Sequence, residues 1–494
     1  MKAFPIFPNR MLIRHKIQLT SILWLTIPLI LIWRYWVSSF VPLMGDSIES
    51  LYKPALYLYQ GHFASFYFPD NFVNEMPLLH EMLALLWKVT GVNLWSIHLF
   101  VTFFILGTAY HLIRLAKELA LGELQIWLSL LALSEASWVG LTLHPYLDHA
   151  LLCWFLWSIR SYRNKRQASM SIALLFLGFT SIRGILSVIG IGGAVVLLES
   201  IRAKEQGLPR GKELARAFGP FLPVSLLLIA FWVGHRICCG YFYFSPENLF
   251  ATHRQLLGTV GIARNLVVML FRLVDNGRLV LWMALALLLL FKRKDLWRVI
   301  RENRFLFVMA SSLFAVMLPF TLPFSNPFHQ RYFLPSFFLL ILLVGISLWS
   351  LLPKRRARLA IITILVCLWA SHLVVYPLRI SQAFDATLAV LPYFGQVDSA
   401  RSFFKKRKIP FSKVGFDRGD CRPFNELHTN DPDLFHDHDF SKNDYMVLSR
   451  VQNPDDGYLD TLWADFDSIA DLSRCRLKMI LYERKGLSNR RPLP

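Results

Sequence analysis

Asp46 lies just past the first long apolar stretch, in Met44-Gly45-Asp46-Ser47-Ile48-Glu49. An acidic side chain where a chain leaves a membrane is costly unless it is paired, wet or functional. Other charged groups stand at comparable places. Glu75 precedes Met76-Pro77, Asp148 lies in His144-Pro145-Tyr146-Leu147-Asp148-His149, Arg183 follows Ser181-Ile182, and Arg331 leads Arg331-Tyr332-Phe333-Leu334-Pro335. This mixture suits one kind of chemistry. A carboxylate in a poorly hydrated setting has a raised pKa and can take a proton from a hydroxyl. Arginine forks bind phosphate through paired donors. A second acid can steer the acceptor or hold a metal. Together they would support attack of a hydroxyl on a sugar carbon with phosphate leaving.

Asp46 and Asp148 are therefore the catalytic candidates. Arg331, Arg183 and Tyr332 are the candidates for a phosphate, with Glu75, Glu49 and His149 as further site candidates. No cofactor is required. A divalent metal on Asp148, His144 and Glu75 stays open, because His144 and Asp148 are four apart and could share a helix face. Each residue also has a plainer reading. Asp46 could cap the next helix, and Asp148 could answer a helix dipole. Arg331 could anchor its span at the interface, while Arg183 and Arg34 could snorkel.

These residues must be positioned by membrane spans. The chain has 494 residues, 55% hydrophobic and 14% aromatic, with mean hydropathy +0.43. Stretches such as Ile17–Trp33, Trp95–Ile113, Phe305–Phe324, Tyr332–Leu352 and Leu359–Pro377 are long enough to cross a bilayer as helices. The net charge is +20, yet from Ile380 onward there are 17 basic and 17 acidic residues. The excess therefore lies in short loops such as Arg160/Arg163/Lys165/Arg166 and Lys354/Arg355/Arg356/Arg358. That is the positive-inside pattern, favoured further by anionic headgroups, and it argues against nucleic acid as a partner.

Placing the basic clusters in the cytoplasm predicts about eleven spans over residues 1–379, with a cytoplasmic N-terminus and an outer loop over 41–91. An amphipathic helix over Arg264–Asp275 should lie on the membrane. Residues 380–494 should form a small extracytoplasmic α/β domain, with a helix at Ser399–Lys408 and strands at Lys413–Phe416, Asp444–Leu448 and Arg476–Tyr482. Cys421 and Cys475 could pair there. The chain contains no Asn-x-Ser/Thr sequon, which leans toward a bacterial inner membrane. The fold class expected is an all-α polytopic membrane protein with this small domain appended.

The order of short motifs resembles the GT-C superfamily of polyprenyl-phosphate-dependent glycosyltransferases, nearest the protein O-mannosyltransferase-like and aminoarabinose-transferase-like bacterial enzymes. The resemblance runs through Gly45-Asp46-Ser47-Ile48-Glu49-Ser50-Leu51-Tyr52 to Gly61, then Glu75-Met76-Pro77-Leu78-Leu79 to Gly91. Leu147-Asp148-His149-Ala150-Leu151 and Arg331 to Pro335 follow. It implies Asp46 as the catalytic base, Asp148 as a second acid or metal ligand, and Arg331 and Arg183 on the donor phosphate. Some relatives carry a Lys where this chain has Met76.

The expected activity is transfer of a sugar from a polyprenyl-phosphate carrier to a lipid, glycan or protein acceptor at the extracytoplasmic face, with inversion. The partners would be the lipid-linked donor, the acceptor and membrane lipids. A transporter or flippase of lipid-linked intermediates is the alternative, and would need charges at mid-membrane depth. A third reading is a non-catalytic subunit that presents its tail to a partner.

Overall fold

The computed structural model describes residues 9–63, 67–68, 76–242, 255–325, 329–377, 380, 382–416, 436–437, 439–452 and 456–487. Glu75 and Cys421 lie outside them. The first described element is α1 (Asn9–Phe40). A wound segment follows, Ser47–Tyr52, α2 (Lys53–Tyr57) and Leu58–His62. Next come α3 (Leu78–Thr90), α4 (Leu94–Leu119), α5 (Glu123–Leu133), α6 (Ala136–Leu141), α7 (Asp148–Arg163), α8 (Gln167–Gly178) and α9 (Ile182–Gln206). The second half continues with α10 (Arg210–Phe218), α11 (Phe221–Cys239), α12 (Thr259–Val274), α13 (Leu279–Glu302), α14 (Arg304–Met317), α15 (Leu334–Leu351) and α16 (Lys354–Ala370).

This is an integral membrane protein. Among the described residues five helices are long and apolar enough to cross a membrane, or six if the bent pair α12 and α13 is one span. That count does not confirm the expected eleven spans. The apolar run of residues 123–141 is divided between α5 and α6, and the basic Arg160–Arg166 stretch separates α7 from α8, so that none of these four helices is long enough to qualify singly. Hydropathy counts apolar residues but does not see such breaks. The amphipathic stretch expected over Arg264–Asp275 falls in α12, which turns 85° away from α13.

A buried polar network pins that corner. Arg278 Nε donates to Glu135 Oε1 at 2.9 Å, and both side chains are fully buried. Glu135 also caps α6, accepting from Trp138 N at 2.7 Å. Arg278 lies over the Phe337 ring at 4.0 Å. Asp275 accepts from Arg272 at 2.8 Å, from Gln330 at 2.7 Å and from Tyr376. Removing one partner of a buried pair strands the other charge, which costs about 3–5 kcal/mol. Arg278→Ala is therefore expected to lower the melting temperature of the detergent-solubilised protein markedly. A melting curve superimposable on that of the native chain would contradict this.

The tail carries α17 (Leu391–Lys406), β1 (Val414–Phe416), β2 (His436–Asp437), β3 (Tyr445–Ser449), α18 (Asp456–Asp465), β4 (Phe466–Asp471) and β5 (Met479–Arg484). The sheet order is β2-β1-β3-β5-β4, with β1 parallel to β2 and β3, and β5 antiparallel to β3 and β4. Strand residues alternate between faces. Tyr445 and Val447 meet α17 through Val397 and Phe404, whereas Met446 and Leu448 meet α18 through Leu459 and Leu462. The helix expected at Ser399 begins eight residues earlier, because Pro392 sits at the first turn, where a missing N–H costs nothing. The first of these clusters also contains Val37, Val41, Met44 and Leu143. The tail is thus packed directly on the end of α1 and the segment leading to Asp46.

Candidate active site

Four predicted side chains meet at one end of the helical body, and the local backbone explains how. Gly45 adopts φ +52°, a left-handed turn that favours glycine and breaks the chain just before Asp46. Asp148 is the first residue of α7. Arg183 is in the first turn of α9, whose N-cap Ser181 accepts from Gly184 N at 3.3 Å. Arg331 sits in the short Gln330–Phe333 turn that feeds α15. The other ends of these segments carry Arg160 and Arg163, then Arg202, then Lys354. Acids and basic clusters thus lie at opposite helix ends, about 24 Å apart along α7 at 1.5 Å per residue.

Arg331 is the centre of the cluster. Its Nη2 donates to Asp46 Oδ2. Its Nη1 lies 3.4 Å from Asp385 Oδ2 and 3.8 Å from Asp148 Oδ2. Arg183 grips Asp148 with both fork nitrogens, Nη1 on Oδ1 and Nη2 on Oδ2 at 3.2 Å. Tyr332 lies beneath both cations, 5.1 Å from Arg183 and 5.8 Å from Arg331, and Tyr146 faces Arg331 at 5.0 Å. Such stacking fixes a guanidinium plane as well as its charge. Arg331 is 7% exposed and Asp148 4%, whereas Asp46 is 37% exposed and is the open member.

Electrostatics separate the roles. Burial pushes the Asp46 carboxyl up, but the Arg331 guanidinium bonded to it more than reverses this, with His329 and Arg183 adding to the effect. The net result lies below the ordinary carboxylate value, so the raised pKa expected for a base is not the resting condition. Burial holds His329 and His144 down at about 4, so both rings are neutral at pH 7. The first turns of α7, α9 and α15 converge here. Helix N-termini carry partial positive charge and attract anions. That potential offsets the acids.

Other expected residues do different work. Glu49 pairs with Lys53 at 2.5 Å. His149 Nε2 contacts the carbonyl oxygens of Leu141 at 3.0 Å and His144 at 3.1 Å, holding the turn before α7. His144 stacks on Tyr146 with ring centroids 5.3 Å apart. Arg34 does not snorkel. It is buried, donating to Thr102 at 3.2 Å and to the Thr142 carbonyl, with His98 at 2.5 Å. It ties α1 to α4 and α6. Among the described residues no three His, Cys, Asp or Glu side chains are grouped to hold a metal ion. Asp148 is already committed to two arginines, so Asp148 and His144 do not fit the metal reading, and no step is derived through one.

Sequence reasoning missed Asp385, which arrives from the tail in the Phe384–Ala386 turn. It is one of 17 acids in that segment, and no local pattern marks it. Tyr146 has a sequence signal, an aromatic two residues from each of the candidates His144 and Asp148.

No family model and no curated protein matches the chain. Among solved structures similar to it are two of ArnT from Cupriavidus metallidurans. The crystal structure bound to undecaprenyl phosphate has a TM-score of 0.48 and 14% identity over 95% of this chain and 99% of that one. The apo structure has a TM-score of 0.46 and 13% identity over 93% and 97%.

Proposed function

We propose that the protein transfers a sugar from a polyprenyl-phosphate carrier to an acceptor hydroxyl or amine, at the membrane face that carries Asp46. The observation that supports this most is the junction of an open carboxylate with two arginines at three convergent helix N-termini. By the positive-inside rule the opposite, basic end faces the cytoplasm, so the chemistry would be extracytoplasmic. In a bacterium the membrane would be the inner one.

Arg331 provides the donor subsite by exchange. Its Nη2 releases Asp46 Oδ2 and takes a phosphate oxygen, an interaction in which a guanidinium fork is strong. Asp46, freed of its cation, regains basicity. The acceptor then attacks the anomeric carbon from the side opposite the phosphate. A new carbon–oxygen or carbon–nitrogen bond forms and the bond from the anomeric carbon to the phosphate oxygen breaks. The electron pair leaves with the polyprenyl phosphate, and the acceptor's proton passes to Asp46. Arg331 and the helix ends stabilise the departing phosphate. Arg183 keeps Asp148 ionised and oriented beside it.

The test is incubation of the reconstituted protein with pentosyl and hexosyl polyprenyl phosphates and a panel of hydroxyl and amine acceptors. Mass spectrometry would follow free polyprenyl phosphate and glycosylated product. Donor that stays intact with every acceptor would refute transfer. Movement of intact donor between leaflets would instead identify a translocator.

A further inference from the structure

Asp385 is a third acid in the cluster, and its placement is elaborate. The turn that carries it is almost wholly buried, with Ala383, Phe384 and Ala386 each at 2% exposure or less. Ala383 adopts φ +51°, a left-handed conformation that an alanine keeps only where its surroundings enforce it. Ala386 N donates to Ala383 O at 2.9 Å. On the far side, His372 Nδ1 lies 3.3 Å from Thr387 Oγ1 and accepts from Leu388 N at 3.1 Å. Above it the turn rests on Gly140 of α6. A side chain at Gly140 would collide with the backbone of Ala386 and Thr387. These contacts join the tail to α6 and to the end of α16, and they deliver a single carboxylate to Arg331.

The two terminal nitrogens of Arg331 then face different partners. Nη2 meets Asp46, the most exposed of the three acids, while Nη1 faces the buried Asp148 and the less exposed Asp385. Resting on the transferase reading above, we infer that Asp385 is a positioning residue that anchors Nη1 while Nη2 exchanges Asp46 for the donor phosphate. Asp148 cannot do this alone, because its oxygens are already gripped by Arg183 and its approach to Nη1 is the longer one. Without Asp385 the guanidinium would swing toward whichever acid remains, and the phosphate would lose a preset fork. Asp385 touches neither reacting atom. Its effect falls on donor binding, where a misplaced fork is felt, more than on bond breaking. The tail thereby becomes part of the donor site.

The experiment uses the full chain in nanodiscs, native and as Asp385→Asn and Asp385→Glu. Binding of sugar-free polyprenyl phosphate is measured directly, and donor KM and kcat are measured in transfer. The expected result for Asp385→Asn is affinity for polyprenyl phosphate weakened by about tenfold, equivalent to about 1.4 kcal/mol. Donor KM should rise by a similar factor, with kcat changed by less than about threefold. Asp385→Glu should recover most of the loss, because it restores the charge. Native affinity and KM in Asp385→Asn would overturn the inference. So would equal impairment of both variants together with a fall in melting temperature, since that marks a merely structural turn. A native protein that turns over no donor sinks the transferase reading and this inference with it. Native turnover beside an unaffected Asp385→Asn sinks the inference alone.

Discussion

Asp46→Asn is expected to abolish most transfer, lowering kcat by about 10²–10⁴-fold, the usual worth of a positioned general base. Asn fills the same space and still offers an oxygen to Arg331, so the fold should survive. Donor affinity should hold or improve, since the phosphate no longer competes with a carboxylate for Nη2. The pH profile adds a signed test. In the ligand-free protein Arg331 holds Asp46 below the ordinary carboxylate value, so the acid is ionised throughout the physiological range. The acid limb of kcat/KM, which reports the free protein, should lie below the ordinary carboxylate range. Once phosphate has taken Arg331, that depression is lost. The acid limb of kcat, which reports the complex, should therefore lie at higher pH. Coincident limbs would argue against the exchange, and undiminished kcat in Asp46→Asn would remove Asp46 from the chemistry.

Arg331→Ala should be the more damaging change, because it fails in two ways. The donor fork disappears, and Asp46, Asp148 and Asp385 are left around an empty space with only Arg183 to answer them. Leaving the buried Asp148 and the half-buried Asp46 and Asp385 without that cation costs up to about 3–5 kcal/mol. At neutral pH the variant should melt well below the native protein and bind no measurable polyprenyl phosphate. The sign with pH is diagnostic. The folded cluster now gains from taking up a proton, so the deficit should shrink on mild acidification. Arg331→Lys separates the two failures. A lysine restores a point charge but not the planar fork, so most of the stability should return while donor affinity stays weak. Native melting and native donor KM in Arg331→Ala would refute this account.

The residues legible in the sequence share one property. Asp46, Asp148, Arg183 and Arg331 each sit where an apolar run starts or stops, and a charge at such a boundary stands out against its neighbours. Convergence at one end also follows, because alternating spans return their odd or even termini to the same face. Asp385 had no such contrast, being one acid in a segment where charges balance. It reaches Arg331 only because Gly140 admits the turn across 245 residues of chain. Arg34 was misread because position alone does not tell a snorkelling arginine from one whose partners, Thr102, Thr142 and His98, lie on other helices. Hydropathy likewise does not show where an apolar run is broken, as at Ser134 and Glu135 between α5 and α6. In the tail, β4 escaped notice because Asp467 and Ser468 are exposed in succession and a bulge between Ser468 and Ala470 breaks the alternation.

The apolar cluster shared by α17, β3 and the end of α1 bears on how this chain could be recombined with others. In chimeras joined at the composition boundary near residue 380, this tail on a foreign body would carry the Phe384–Ala386 turn without its Gly140 seat, and this body with a foreign tail would lose the surface that covers Val37, Val41 and Met44. A junction after Val390 would keep the turn at home but would still have to replace the surface those three residues meet. The modular cut is therefore not where the charge pattern changes. Grafts that respect only the sequence boundary should express as misassembled hybrids.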